Sequence, residues 1–234
     1  PCEGVPGSVA GLNALLQRFG TWSLSRAMQP AIHLAQHGFQ LVAGDVNILR
    51  FAKKRVEQSP QGRAIWLPHG QLPESGTSIL QPQLAQTLSD IARTQGRSFY
   101  HGSTMEQVVD ASLRQGGMLT PQDFAQYRVQ WRQPLRCHYR GLDIVTAPAP
   151  FSGLTVCQVL QGMQAAADPL VPSHTPQHWL KRIGLIRQAY RDRARWLADP
   201  AYTADHSQQL LQPQHIQQML HAADGYAQGQ HVRL

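Results

Sequence analysis

Apolar residues recur at three- and four-residue spacing through most of the chain, a period that predicts helices, with one short alternating stretch that predicts strands. Residues 8–18 and 25–37 read as two helices forming an αα-hairpin, with Ser8 and Ser25 near their starts and Gly20 and Gly38 just past their ends. Residues 42–56 form a third helical pattern with Phe51 and Val56 on its apolar face, ended by Ser59-Pro60-Gln61-Gly62. The apolar run 64–67 then reads as a short strand before Pro68-His69-Gly70. Helical spacing returns over 81–94 and 104–114, and Thr120-Pro121-Gln122-Asp123 is a helix start with proline in the first turn.

The pattern changes at residues 131–139 and 142–146. These read as strands around a hairpin corner at Arg140-Gly141. Pro148-Ala149-Pro150-Phe151-Ser152-Gly153 follows as a structured crossover into a helix over 154–163, because proline fixes φ and glycine admits conformations that other residues resist. A flexible loop is expected at 165–176. Thr175-Pro176 then opens the longest helix, through Trp179, Ile183, Ile186, Tyr190 and Trp196, which stops before Asp199-Pro200. Residues 214–223 form the last expected helix. The fold class is α+β, mainly helical, with no internal repeat.

Composition narrows the function classes. At 234 residues, 42% hydrophobic and 15% charged, residues 1–234 are expected to form a single large globular domain, with two small ones as the alternative. The net charge of +7 permits attraction to nucleic acid or anionic surfaces. The basic residues are dispersed, however, with Lys53-Lys54-Arg55 the only run and Arg187, Arg191 and Arg195 a helical stripe. No motif for base readout or stacking accompanies them, so solvated helix faces are expected and nucleic acid is not an expected partner. No apolar run is long enough to span a membrane. Pro1 is neither an initiator methionine nor part of a signal peptide, and reads as a processing or engineered boundary. Cys2, Cys137 and Cys157 cannot all pair internally and match no zinc spacing. Small buried hydrophobes are the favoured reading for them, with a Cys137–Cys157 bridge as the alternative.

Candidate chemistry is sparse. His33 with His37 and His174 with His178 have the i,i+4 spacing of two metal ligands, but neither forms His-Glu-x-x-His and no third ligand is evident, so surface or capping histidines are expected. Asp192 lies between Arg191 and Arg193 and reads as the anchor of a structural ion pair. Ser152 stands at a helix start without a Gly-x-Ser-x-Gly elbow, so it reads as the cap of the following helix rather than a nucleophile, and Ser8 is read likewise. Phosphate-loop and dinucleotide fingerprints are absent. No catalytic, cofactor or metal residue is assigned.

Several blocks, in order, carry a resemblance: Pro6-Gly7-Ser8-Val9-Ala10-Gly11; Phe19-Gly20-Thr21-Trp22 with Pro30-Ala31 and Gly38-Phe39; Phe99-Tyr100-His101-Gly102; Gly116-Gly117-Met118-Leu119-Thr120 with Asp123 and Tyr127; Tyr139-Arg140-Gly141 with the Pro148–Gly153 turn; and Ala189-Tyr190-Arg191-Asp192-Arg193-Ala194 with Asp199-Pro200. Together they resemble the back half of the large subunit of gamma-glutamyltransferases (gamma-glutamyltranspeptidases), over nearly the whole chain. The resemblance implies the C-terminal part of a large subunit, a partial αββα sandwich of an N-terminal-nucleophile (Ntn) hydrolase completed by residues outside this chain. It implies a self-cleaving precursor whose small subunit begins with a nucleophilic Thr and is this chain's partner. It also implies transfer or hydrolysis of gamma-glutamyl groups from donors such as glutathione, without a cofactor, and a periplasmic or secreted location. The family's Thr-Thr-His segment and its carboxylate-clamping arginine are not found in residues 1–234, so this chain alone is expected to be inactive. Ala149, Phe151 and Leu154 depart from the family's Pro-Pro-Pro-Ser-Ser-Gly-Gly turn, which keeps a cephalosporin-acylase-like amidohydrolase as an alternative. A noncatalytic helical interaction module is the other.

Overall fold

In a computed structural model of the protein, residues 3–166 and 175–227 are described. Contacts divide the chain into two compact units, Pro1–Gln130 and Trp131–Leu234.

In the first unit, α1 (Ser8–Phe19) and α2 (Leu24–His37) end at Gly20 and Gly38 as the glycines predict. The caps differ from expectation. Ser23, not Ser25, accepts the Arg26 amide at 3.2 Å, and Gly7 holds the cap position of α1, leaving Ser8 as the first helical residue with no cap bond. Two-residue strands β1 (Phe39–Gln40) and β2 (Ser78–Ile79) pair antiparallel on either side of α3 (Ala43–Glu57) and α4 (Pro60–Trp66). The strand expected at 64–67 is therefore mostly helix. Ser59 accepts the Gly62 amide at 3.1 Å and Pro60 fills the first turn, so the Ser-Pro pair starts α4 as well as closing α3.

Next come α5 (Pro82–Thr94), which packs on α2, then α6 (Arg97–His101), α7 (Ser103–Arg114) and α8 (Pro121–Gln126). The Thr120/Asp123 capping box that opens α8 is formed in both directions. Tyr100, Val109 and Phe124 make one core cluster of this unit, and Leu41, Leu49 and Ile79 another. The tyrosine holds the N-terminal segment down: its hydroxyl donates to Pro6 O at 2.8 Å and accepts the Ala10 amide at 3.1 Å. Its ring stacks on Tyr127, and a Cβ on Gly7 would overlap the Tyr127 hydroxyl. Burial pushes the Tyr100 phenol up from its ordinary value.

In the second unit, β3 (Leu135–Tyr139) and β4 (Leu142–Thr146) form the expected hairpin, with Tyr139 opposite Leu142. Arg140 and Gly141 both have positive φ, as a two-residue hairpin turn requires. The first strand starts later than residue 131, just after Pro134, which has no N–H for a ladder. After the crossover come α9 (Gly153–Ala165), α10 (Pro176–Trp196), α11 (Ser207–Leu210) and α12 (Pro213–Ala227). Thr175 caps α10 through the His178 amide at 3.3 Å. Most of the loop expected at 165–176 lies outside the described residues.

Leu185 and Ala189 of α10 pack against Ile216, Met219, Leu220 and Ala223 of α12, while Leu135, Leu154 and Leu210 close a second cluster around Cys137 and Cys157. The two cysteines are not free buried hydrophobes: they form a disulfide between β3 and α9, with Cα atoms 6.0 Å apart. The hairpin lies against α9 and brings the two positions together, which linear spacing does not encode. Among the described residues, no helix is long and apolar enough to cross a membrane.

Candidate functional site

The crossover between β4 and α9 is held from several sides. Arg132 donates to Ala149 O at 3.0 Å and to Asp199 Oδ1 at 2.9 Å, tying the segment after α10 to the turn. Asp199 also accepts the Ala201 amide at 3.0 Å. Inside the turn, the Phe151 amide donates to Pro148 O at 2.9 Å, and the Ala149–Pro150 peptide is cis. Gly153 packs so closely that a Cβ there would overlap Ala147 O. Ser152 does not cap α9. Its hydroxyl instead accepts Arg193 Nε at 3.1 Å, because the Ser152 backbone is not in the extended conformation that aims a cap side chain into the helix.

Asp192 is engaged internally, but by His215 rather than by its sequence neighbours. His215 Nε2 lies 2.6 Å from Asp192 Oδ2, and the fully buried Gln158 donates to the same oxygen at 2.7 Å and to Leu210 O at 3.4 Å. This links α9, α10, α11 and α12. Beside it, α10, α11 and the start of α12 enclose a cavity of about 380 Å³. His215 and Gln158 carried no sequence signal, since they lie 23 and 34 residues from Asp192.

Of the remaining candidates, His33 and His37 belong to the first unit. The His33 and His37 rings stack with centroids 4.3 Å apart, and His37 Nδ1 is 3.1 Å from His33 O. Among the described residues no three His, Cys, Asp or Glu side chains converge as a metal site. His174, expected to pair with His178, lies outside the described residues.

Charge also stabilises the turns. Asp199 is held below its ordinary carboxylate value by the Ala201 amide and by Arg132; Asp123 by the Thr120 hydroxyl and amide; and Glu3 by the Met118 amide and the Ser112 hydroxyl. A carboxylate whose folded value is lowered contributes its full stabilisation above its unfolded value, and loses it as pH falls through the lowered one. The stability gap between the parent and an Asp199→Asn variant should therefore be present at neutral pH and narrow in the acid range below 3.8. Denaturant midpoints across a pH series check this, and a gap that stays constant to the acid limit would contradict it.

The sequence model of the gamma-glutamyltranspeptidase family matches residues 2–230. The chain belongs to that family. It is 32% identical over 210 residues to a glutathione hydrolase proenzyme of Pseudomonas sp. (strain A14), covering 89% of this chain and 36% of that protein. With the capsule biosynthesis protein CapD proenzyme of Bacillus anthracis it shares 31% identity over 219 residues, 94% of this chain and 40% of the relative. The chain thus spans well under half the length of these curated relatives.

Among solved structures, the gamma-glutamyltranspeptidase of Helicobacter pylori superposes with a TM-score of 0.86 at 29% identity, over 94% of this chain and 64% of that one. A cephalosporin acylase of Bacillus halodurans shares the fold at a TM-score of 0.82 and 24% identity. The mainly helical α+β architecture is that of part of the Ntn-hydrolase fold of gamma-glutamyltranspeptidases.

Proposed function

We propose that the chain is the C-terminal part of the large subunit of a gamma-glutamyl transferase or glutathione hydrolase, which moves a gamma-glutamyl group to water or an amine through an acyl-enzyme on a threonine outside this chain. The observation that carries this reading is the family match across residues 2–230, joined to structural likeness over nearly the whole chain. The relatives are named as proenzymes, which supports a self-cleaved precursor and a small-subunit partner.

The surface supports the same partner. One face of α10 packs on α9 and α12, while Trp179, Ile183, Ile186 and Tyr190 recur along an exposed face at helical spacing. An apolar stripe of this kind is what a helix presents to a covering layer, and the sheets among the described residues have only two strands each. The Cys137–Cys157 disulfide supports a periplasmic or secreted location, since such bridges persist in oxidising compartments.

Covalent acyl transfer needs nucleophile, base and oxyanion donors held together. In this chain Ser152 bonds to Arg193, and Cys137 and Cys157 are consumed by their bridge. The 234-residue chain alone should give no turnover of a gamma-glutamyl anilide, whereas the product of the complete gene should hydrolyse it. Turnover by the isolated chain would contradict this assignment.

A second reading is an amidohydrolase acting on another acyl group. It is favoured by Ala149, Phe151 and Leu154 in the crossover and by 32% identity over 202 residues to an acylase ACY 1 proenzyme of Pseudomonas sp. (strain V22). Comparing glutathione with a cephalosporin side-chain amide, using the complete protein, separates the two by their relative kcat/KM.

A further inference from the structure

The cavity beside Asp192 is lined by two guanidinium groups, Arg191 and Arg195, one helical turn apart on α10. Neither has a carboxylate partner among the described residues. The Arg191 Nη1 donates to Gln188 Oε1 at 3.3 Å, and the Arg195 guanidinium lies 4.7 Å from the centre of the Trp196 ring, so both are steadied by neutral groups that leave their charge uncompensated. The one carboxylate in the wall, Asp192, is engaged by His215 and Gln158. His206, whose ring is tilted against Trp196 at 4.7 Å, adds a further imidazole.

A concave site with two unneutralised guanidinium groups, two imidazoles and an occupied acid has the chemistry of an anion receptor, since guanidinium donors recognise carboxylate and phosphate oxygens through parallel, charge-assisted hydrogen bonds. We infer that the cleft between α10, α11 and α12 binds a small oxyanion, a carboxylate or a phosphate, held by Arg191 and Arg195 against the Trp196–His206 wall. This is independent of the acyl-transfer reading and places the anion in a cleft formed entirely by residues of the second unit. His215 and Gln158 are positioning residues: both hold the Asp192 carboxylate in the cavity wall through its Oδ2.

The test is isothermal titration of the protein produced from its complete gene with inorganic phosphate and, separately, with succinate, against sodium chloride at matched ionic strength. Saturable binding of at least one oxyanion is expected, weakened tenfold or more in Arg191→Ala and in Arg195→Ala. Arg182→Ala removes the same charge from α10 outside the cleft and should bind as the parent does. If Arg191→Ala does not fold, Arg191→Lys keeps the charge, loses the planar fork and should still bind more weakly. Binding of phosphate alone assigns a phosphoryl ligand, and of succinate alone a carboxylate; either supports the site. Absence of saturable binding by both, or equal weakening in Arg182→Ala, overturns it.

Discussion

Replacing Cys137 and Cys157 by alanine is expected to lower the stability of the second unit by about 2–4 kcal/mol, the range typical of a bridge closing a short loop. The two residues are 20 apart in sequence, so the bridge closes a loop that restricts the unfolded chain, and both are buried in the native one. It fastens β3 to α9 at the second core cluster, beside Leu135, Leu154 and Leu210. Alanine is the better probe than serine, because a serine hydroxyl there would be buried without a partner. In denaturant titrations of the protein from its complete gene, reductant should shift the parent's transition and leave the double variant unchanged. A parent indifferent to reductant would show that the bridge does not contribute.

Gly184→Ala should destabilise the α10–α12 contact by about 1–3 kcal/mol, and Gly184→Val by more, despite the gain in helix propensity. A Cβ at this position would lie 2.9 Å from Ala223 Cα, 2.9 Å from Ala223 Cβ and 3.1 Å from Ala223 O. Those are backbone and near-backbone atoms of a fully buried residue, so the helices themselves would have to separate. Gly162→Ala is the informative contrast. Its Cβ would approach Leu185 Cδ2 at 2.8 Å, the far end of a flexible side chain, and a small rotamer change offset by up to about 1 kcal/mol of helix propensity should leave it near neutral. Denaturant midpoints in which Gly162→Ala costs as much as Gly184→Ala would contradict the close helix approach.

Two helices, α8 in the first unit and α10 beside the candidate site, could be read from sequence because each carries its own start signal. Thr120 with Asp123 and Thr175 with Pro176 opened α8 and α10 where expected, and Arg140-Gly141 marked the hairpin turn. Residues 64–67 misled because four apolar residues hold no resolvable period, and the adjacent Ser59-Pro60 serves both as an end and as a start. The short β1–β2 pair, α6 and α11 fall below the length at which a pattern exists.

Contacts between distant segments were harder still. Asp192 was legible as an ion-pair anchor, but its partners are fixed by how α9, α11 and the start of α12 meet α10, not by Arg191 and Arg193 beside it. The disulfide is of the same kind: hairpin register and helix docking decide the pairing. Ser152 shows the converse error, a correct helix start whose cap is not made because its backbone is not extended, which leaves the hydroxyl to Arg193.

The most direct test of the large-subunit assignment is the intact mass of the protein expressed from its complete gene, with N-terminal sequencing of every fragment. The account predicts two fragments, one containing this chain and the other beginning at threonine. A single uncleaved chain, with no threonine-initiated fragment, would contradict it.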